Sequence, residues 1–261
     1  MTTFRPKTWT PLGAALLLGL SACTAGETGA SQGGEGEGEG APVPAPAASA
    51  PAAVPAGIVG GESGEAGASD AYGSIPAESL MALRIAHLKG FLLVAEKVVP
   101  TEGAESAAVL IQQGNLEVLD PQEAAFKAAG VDIALMRKAA ETGSKADIDA
   151  AKKTLDAAYA KAGGDTAAVI RSMGALTLGL YGVVEQDGAV DPVEYQHSLG
   201  AALATRDLAG KDKRYAEAAK ELDVLIKSWP TPSAPEEVTK LTPKSKVAAQ
   251  ISRAELALSG L

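Results

Sequence analysis

Glu194 and His197 are spaced E-x-x-H, which places a carboxylate and an imidazole one turn apart on one face of a helix. That pair could ligate a metal ion. Metal sites inside helical bundles use it twice, with further glutamates from facing helices; here it occurs once. His87 is the only other histidine in the 261 residues, close in sequence to Arg84, Phe91 and Val94, and Glu96 and Glu117 could add oxygen donors. Two imidazoles with carboxylates suit iron, manganese or zinc. The candidate metal set is therefore His87, Glu194 and His197.

The same residues also read as the start of a helix. Gly188 can take the left-handed conformation that ends one helix. Asp191 suits the N-cap of the next, Pro192 its first position, and Glu194 its third, from which the carboxylate could reach back to the Asp191 amide. Asp120-Pro121-Gln122-Glu123 repeats this grammar without a histidine. His197 would share a face with Val193, Ala201, Ala204 and Leu208, as a core histidine does. A third reading is calcium: Gly188, Val190 and Glu194 match the second half of an EF-hand loop, but Val183 stands where its first aspartate belongs.

No other catalytic signature accompanies these residues. The chain has no phosphate-cradling glycine loop, no G-x-S-x-G elbow, no H-E-x-x-H and no paired cysteines. The sequence therefore predicts no enzyme and no resident cofactor, a transition metal being the alternative. Net charge is −9; without Arg5 and Lys7 of the leader, 21 basic residues face 32 acidic ones. That balance argues against nucleic acid and against docking on anionic lipid through a basic face.

Residues 1 to 22 read as an export signal: Arg5 and Lys7, then the apolar run PLGAALLLGL, shorter than the roughly 20 residues of a membrane span. The leader ends in Leu20-Ser21-Ala22-Cys23, which resembles the bacterial lipobox. The resemblance implies cleavage before Cys23 and acylation of its thiol and new amino group. Cys23 is the one cysteine in the chain, so lipidation would also consume an otherwise free thiol. Two or more acyl chains anchor a chain firmly. Thr24 after the cysteine implies, by the same resemblance, passage to the outer membrane facing the periplasm.

Residues 23–73 carry GGEGEGEG and APVPAPAASAPAAVPAG, compositions that bury too little apolar surface to fold. They predict a disordered tether. Within it Ile58-Val59-Gly60-Gly61-Glu62 resembles the new N-terminus of an activated chymotrypsin-type protease, without the G-D-S-G-G nucleophile segment. Residues 74–261 turn to alanine and leucine, with few aromatics. The periodicity predicts helices at 76–99, 103–119, 121–142, 145–162, 165–186, 191–209, 212–228 and 235–259. The first carries a stripe of Met81, Ile85, Leu88, Leu92, Ala95 and Val99. Short connections favour an all-α antiparallel helical bundle of about eight helices. Gly174, Gly179 and Gly182 predict close helix packing, Trp229 a plug at a helix end, and Lys211, Lys213, Lys220 and Lys227 a solvated face.

The segments AHLKGFLLVAEKVV and AAVLIQQGNLEVL resemble a family of exported all-helical bacterial proteins in which H-L opens the first helix and a histidine-bearing second helix precedes a glutamate. His87 and Glu117 fit; Gln112 and Gln113 stand where histidines would be. A looser similarity is to imelysin-like periplasmic proteins of iron uptake, whose G-x-H-x-x-E is absent: Leu-Lys-Gly follows His87 and Ser-Leu-Gly follows His197. Together these features predict a lipid-anchored, non-enzymatic binding or scaffolding module with a protein partner in the periplasm or membrane. Periplasmic metal handling, of iron or copper, through His87, Glu194 and His197 is the alternative.

Overall fold

The computed structural model describes residues 69–259. The leader, Cys23, the Ile58–Glu62 segment and the tether up to residue 68 lie outside them. The described residues are all-α but for one two-residue hairpin. The helices are α1 (Ser69–Ser74), α2 (Leu80–Glu102), α3 (Ala104–Gly114), α4 (Glu123–Ala129), α5 (Ile133–Thr142), α6 (Lys145–Ala162), α7 (Thr166–Tyr181), α8 (Pro192–Gly210), α9 (Ala216–Leu225) and α10 (Lys244–Leu258). Strands β1 (Glu185–Gln186) and β2 (Ala189–Val190) pair antiparallel between α7 and α8. No helix among the described residues is long and apolar enough to cross a membrane.

α2 is the central element and packs against α3, α6, α7 and α8. It does not present the single stripe expected from its sequence. Leu83, Ala86, Phe91, Val94 and Val98 are buried along with Ile85, Leu88, Leu92 and Ala95, while Met81 and Val99 are only half-buried. A helix packed against four others is apolar over most of its circumference, so no one face stands out. This enclosure also buries His87, which the stripe had left to one side.

Several helix boundaries follow local chemistry. Asp132, Ser144, Asp165 and Asp191 cap α5, α6, α7 and α8, each side chain accepting from first-turn amides. The helix expected over 121–142 is split into α4 and α5, because Gly130 takes a left-handed φ of 96° and Asp132 starts afresh. The helix expected over 235–259 begins only at Lys244. Pro230, Pro232, Pro235 and Pro243 lack amide protons, and residues 229–243 are largely irregular. The domain also starts earlier than residue 74: α1 covers 69–74, Ala71 is buried, and α1 packs on α7.

Residues 184–194 depart in two ways from the sequence expectation. Gly188 does not end a helix. Asp187 (φ 52°) and Gly188 (φ 77°) form the two-residue turn of the β1–β2 hairpin, where Asp-Gly suits two consecutive positive φ values. The capping box is also incomplete. Asp191 caps Val193 and Glu194 as expected, but its own amide donates to the Val184 carbonyl (2.7 Å), so Glu194 does not reach back to it. Asp120 is no N-cap either. It lies in helical conformation after a π-helical turn, Asn115–Leu119, and pairs with Arg137 at 2.6 Å.

Candidate functional site

α2 and α8 cross at two glycines. A Cβ on Gly90 would lie 2.8 Å from the Gly200 carbonyl oxygen, and a Cβ on Gly200 would lie 2.8 Å from that of Gly90. The helices run antiparallel, since Lys89, Gly90 and Phe91 meet Asp207, Gly200 and His197 in turn. His87 and His197 each precede their glycine by three residues, so they fall on opposite sides of the crossing along the helix axes. Both imidazoles contact Phe91, with ring centroids 5.4 and 4.8 Å away. Phe91 in turn fills the space left by Gly114 of α3, where any Cβ would collide with its ring.

His87 and His197 are only 2 % and 4 % exposed. His87 Nδ1 shares a 2.8 Å hydrogen bond with the Tyr72 hydroxyl on α1. His197 Nδ1 stands 4.0 Å from the carboxylate of Glu117, which the π-helical turn carries toward it. Glu194 lies one turn before His197 in α8. Among the described residues no group of three or more His, Cys, Asp or Glu is placed to hold a metal ion.

Lys89, between Leu88 and Gly90, is 5 % exposed. Its ammonium contacts Asp156 of α6 and Asp207 of α8, each at 2.6 Å, and Lys211 pairs with the same two carboxylates. Burial opposes ionisation of Asp207, but hydrogen bonds from Lys89 and Lys211 outweigh it and hold its carboxyl below the ordinary value. Lys211, expected on a solvated face, is half of this network.

A cleft of about 740 Å³ opens between α2, α8 and the segment after α9. Leu93, Pro100, Leu199, Leu203 and Ile226 form its apolar wall, and Glu96 and Lys97 stand on its α2 side. Trp229, Pro230 and Pro232 close the other side. The wall is rigid for identifiable reasons. The Trp229 indole N–H donates to Ser198 Oγ (3.1 Å), and Trp229 meets Tyr181 edge to face at 5.2 Å. The Tyr195 hydroxyl donates to the Thr231 carbonyl (3.1 Å), the Tyr181 hydroxyl to that of Thr242 (2.6 Å), and Ser233 to Glu102. Burial pushes the Tyr181 phenol up to about 12, so it remains a donor at any physiological pH. Glu96 is held ionised: burial opposes this, but Lys152 (2.6 Å) and Lys145 (2.9 Å) outweigh it. Sequence reasoning took Trp229 as a plug and missed the cleft, because its walls come from segments over a hundred residues apart.

Comparison with known protein families, curated proteins and solved structures gives no match to this chain.

Proposed function

We propose that this chain is a lipoprotein of the bacterial envelope that acts as a non-enzymatic binding module. Acylated Cys23 holds it to the outer membrane, residues 24–68 act as tether, and the helical domain offers the cleft beside Trp229 to a periplasmic or membrane protein. The observation that carries this reading is the cleft itself. It is concave, predominantly apolar and pre-formed, with a few charged groups at one edge, as binding sites are. By contrast the histidines, the strongest candidates for chemistry, are buried in the bundle core.

The test uses the full-length chain in its native membrane. A photo-crosslinking residue at Leu203, in the cleft wall, is expected to give a discrete adduct that disappears with Leu93→Asp. The same residue at Lys220, on α9, is expected to give none. Equal labelling at both positions, or none at either, would overturn the reading.

A second reading, metal handling by His87, Glu194 and His197, has one observation in its favour: a π-helical turn, a feature often found at functional sites, carries Glu117 toward His197. Calorimetric titration of the full-length chain with Fe²⁺, Zn²⁺ and Cu²⁺ separates the readings. Micromolar binding that is lost in His197→Ala would make metal handling the lead.

A further inference from the structure

A second cleft, of about 460 Å³, lies where the end of α9 meets the start of α10. Lys227, Lys246 and Arg253 line it, with Ser228, Thr242 and Gln250 between them. Three cations lining one concavity is unexpected in a chain of net charge −9. Lys89, Lys145, Lys152 and Lys211 are matched by carboxylates. Lys227, Lys246 and Arg253 form no ion pair among the described residues.

Nearby acids are held by other side chains. Asp223, which feels the charge of Lys227, is held in a two-point pair by Arg206 at 2.7 and 3.1 Å. Glu221 accepts from the Gln250 side-chain amide at 2.6 Å. Gln250 is 6 % exposed, and its oxygen accepts from Arg253 Nη1 at 3.1 Å, so a buried side chain fixes the guanidinium at the cleft edge. The Thr242 hydroxyl donates to the Ser228 carbonyl (3.0 Å) and ties the two walls together. The first turn of α10 carries Lys244 and Lys246 and no acid, opposite to what the helix dipole favours. Positive charge gathered there costs helix stability, and a bound anion would offset that cost.

We infer that this cleft binds a small phosphate-bearing molecule, with Lys227, Lys246 and Arg253 contacting the phosphate oxygens. A planar guanidinium fork beside two ammonium groups matches a dianionic tetrahedral group better than a single carboxylate. The volume suits a ligand of metabolite size. The acidic remainder of the domain repels extended polyanions and anionic membranes, which selects for a compact ligand. The inference does not depend on the Trp229 cleft.

The probe is inorganic phosphate, titrated calorimetrically into the full-length chain in neutral detergent. Saturable binding is expected, weakened about tenfold or more in the Lys246→Gln/Arg253→Gln double variant, since two charge-assisted contacts are removed. A Lys220→Gln/Lys240→Gln control, which removes the same charge elsewhere, should bind as the parent does. Thermal unfolding of both variants confirms that the fold is retained. Absence of saturable phosphate binding, or equal weakening in the control, overturns the proposal. So does co-sedimentation with vesicles of anionic phospholipid without binding of free phosphate, which would make the cleft a membrane contact.

Discussion

Gly90 of α2 and Gly200 of α8 touch backbone to backbone, each presenting its Cα hydrogens to the other's carbonyl. The obstacle to a Cβ at either place is main chain inside two packed helices, which cannot swing aside as a side-chain tip can. Gly90→Ala or Gly200→Ala should therefore cost about 3 kcal/mol, the upper range for overpacking, in urea unfolding of the full-length chain. Gly73→Ala in α1, where a Cβ meets nothing within 4 Å, should be neutral or slightly stabilising. Equal effects at the three sites would contradict the crossing.

Lys89 joins α2 to α6 and α8 through Asp156 and Asp207. Its removal empties a buried site and leaves Asp156 and Asp207, themselves partly exposed, to Lys211 alone, a change that costs about 2 kcal/mol. Lys89→Ala should show that loss in thermal unfolding. Lys211→Ala, at a half-exposed position facing the same acids, should cost about 1 kcal/mol or less. If the two variants unfold alike, burial of Lys89 does not set the strength of the network.

Asp191 and Asp120 precede proline in the same sequence grammar but do different work. Asp191 accepts from two amides at the start of α8, so Asp191→Ala should cost about 1 kcal/mol. Asp120 caps nothing and pairs with Arg137, so Asp120→Asn should cost about 0.5 kcal/mol at most and be sensitive to salt. Chemical denaturation at low and high ionic strength distinguishes them.

Acid should unfold the domain through its paired carboxylates. Asp147 and Asp149 are held at about 2, against an ordinary 3.8, chiefly by hydrogen bonds from Lys138 and Lys152 respectively. Glu96 and Asp207 are also lowered, their lysine hydrogen bonds outweighing burial. A carboxylate whose folded value is depressed contributes stability that is fully present above its unfolded value. That stability is lost as pH falls through the folded value. Unfolding temperature should therefore be flat near neutrality and fall between about pH 4 and pH 2, with a smaller fall in Lys152→Ala. A decline that begins well above pH 5 would point to other groups.

What local chemistry wrote, the sequence alone disclosed. α6 runs over 145–162 as expected, because Ser144 caps it at one end and Gly163 and Gly164, with φ of 70° and 94°, stop it at the other. Asp191 and Pro192 likewise start α8 within a few residues of themselves. The Asp187-Gly188 hairpin was equally local, yet its two-residue strands were too short to show alternation against the helical pattern on both sides.

Tertiary structure decided the rest. Lys89 meets Asp207 across 118 residues, and Gly90 finds Gly200 across a similar span. Nothing in either sequence neighbourhood names its partner. α2 has no stripe that reveals which face takes which neighbour, because apolar residues cover most of its circumference. His87 and His197 both meet Phe91 at a helix crossing that neither sequence neighbourhood announces. Local hydrogen bonds and backbone preferences act over one or two turns of chain and are written there. Clefts, ion networks and glycine contacts arise only when distant segments share space.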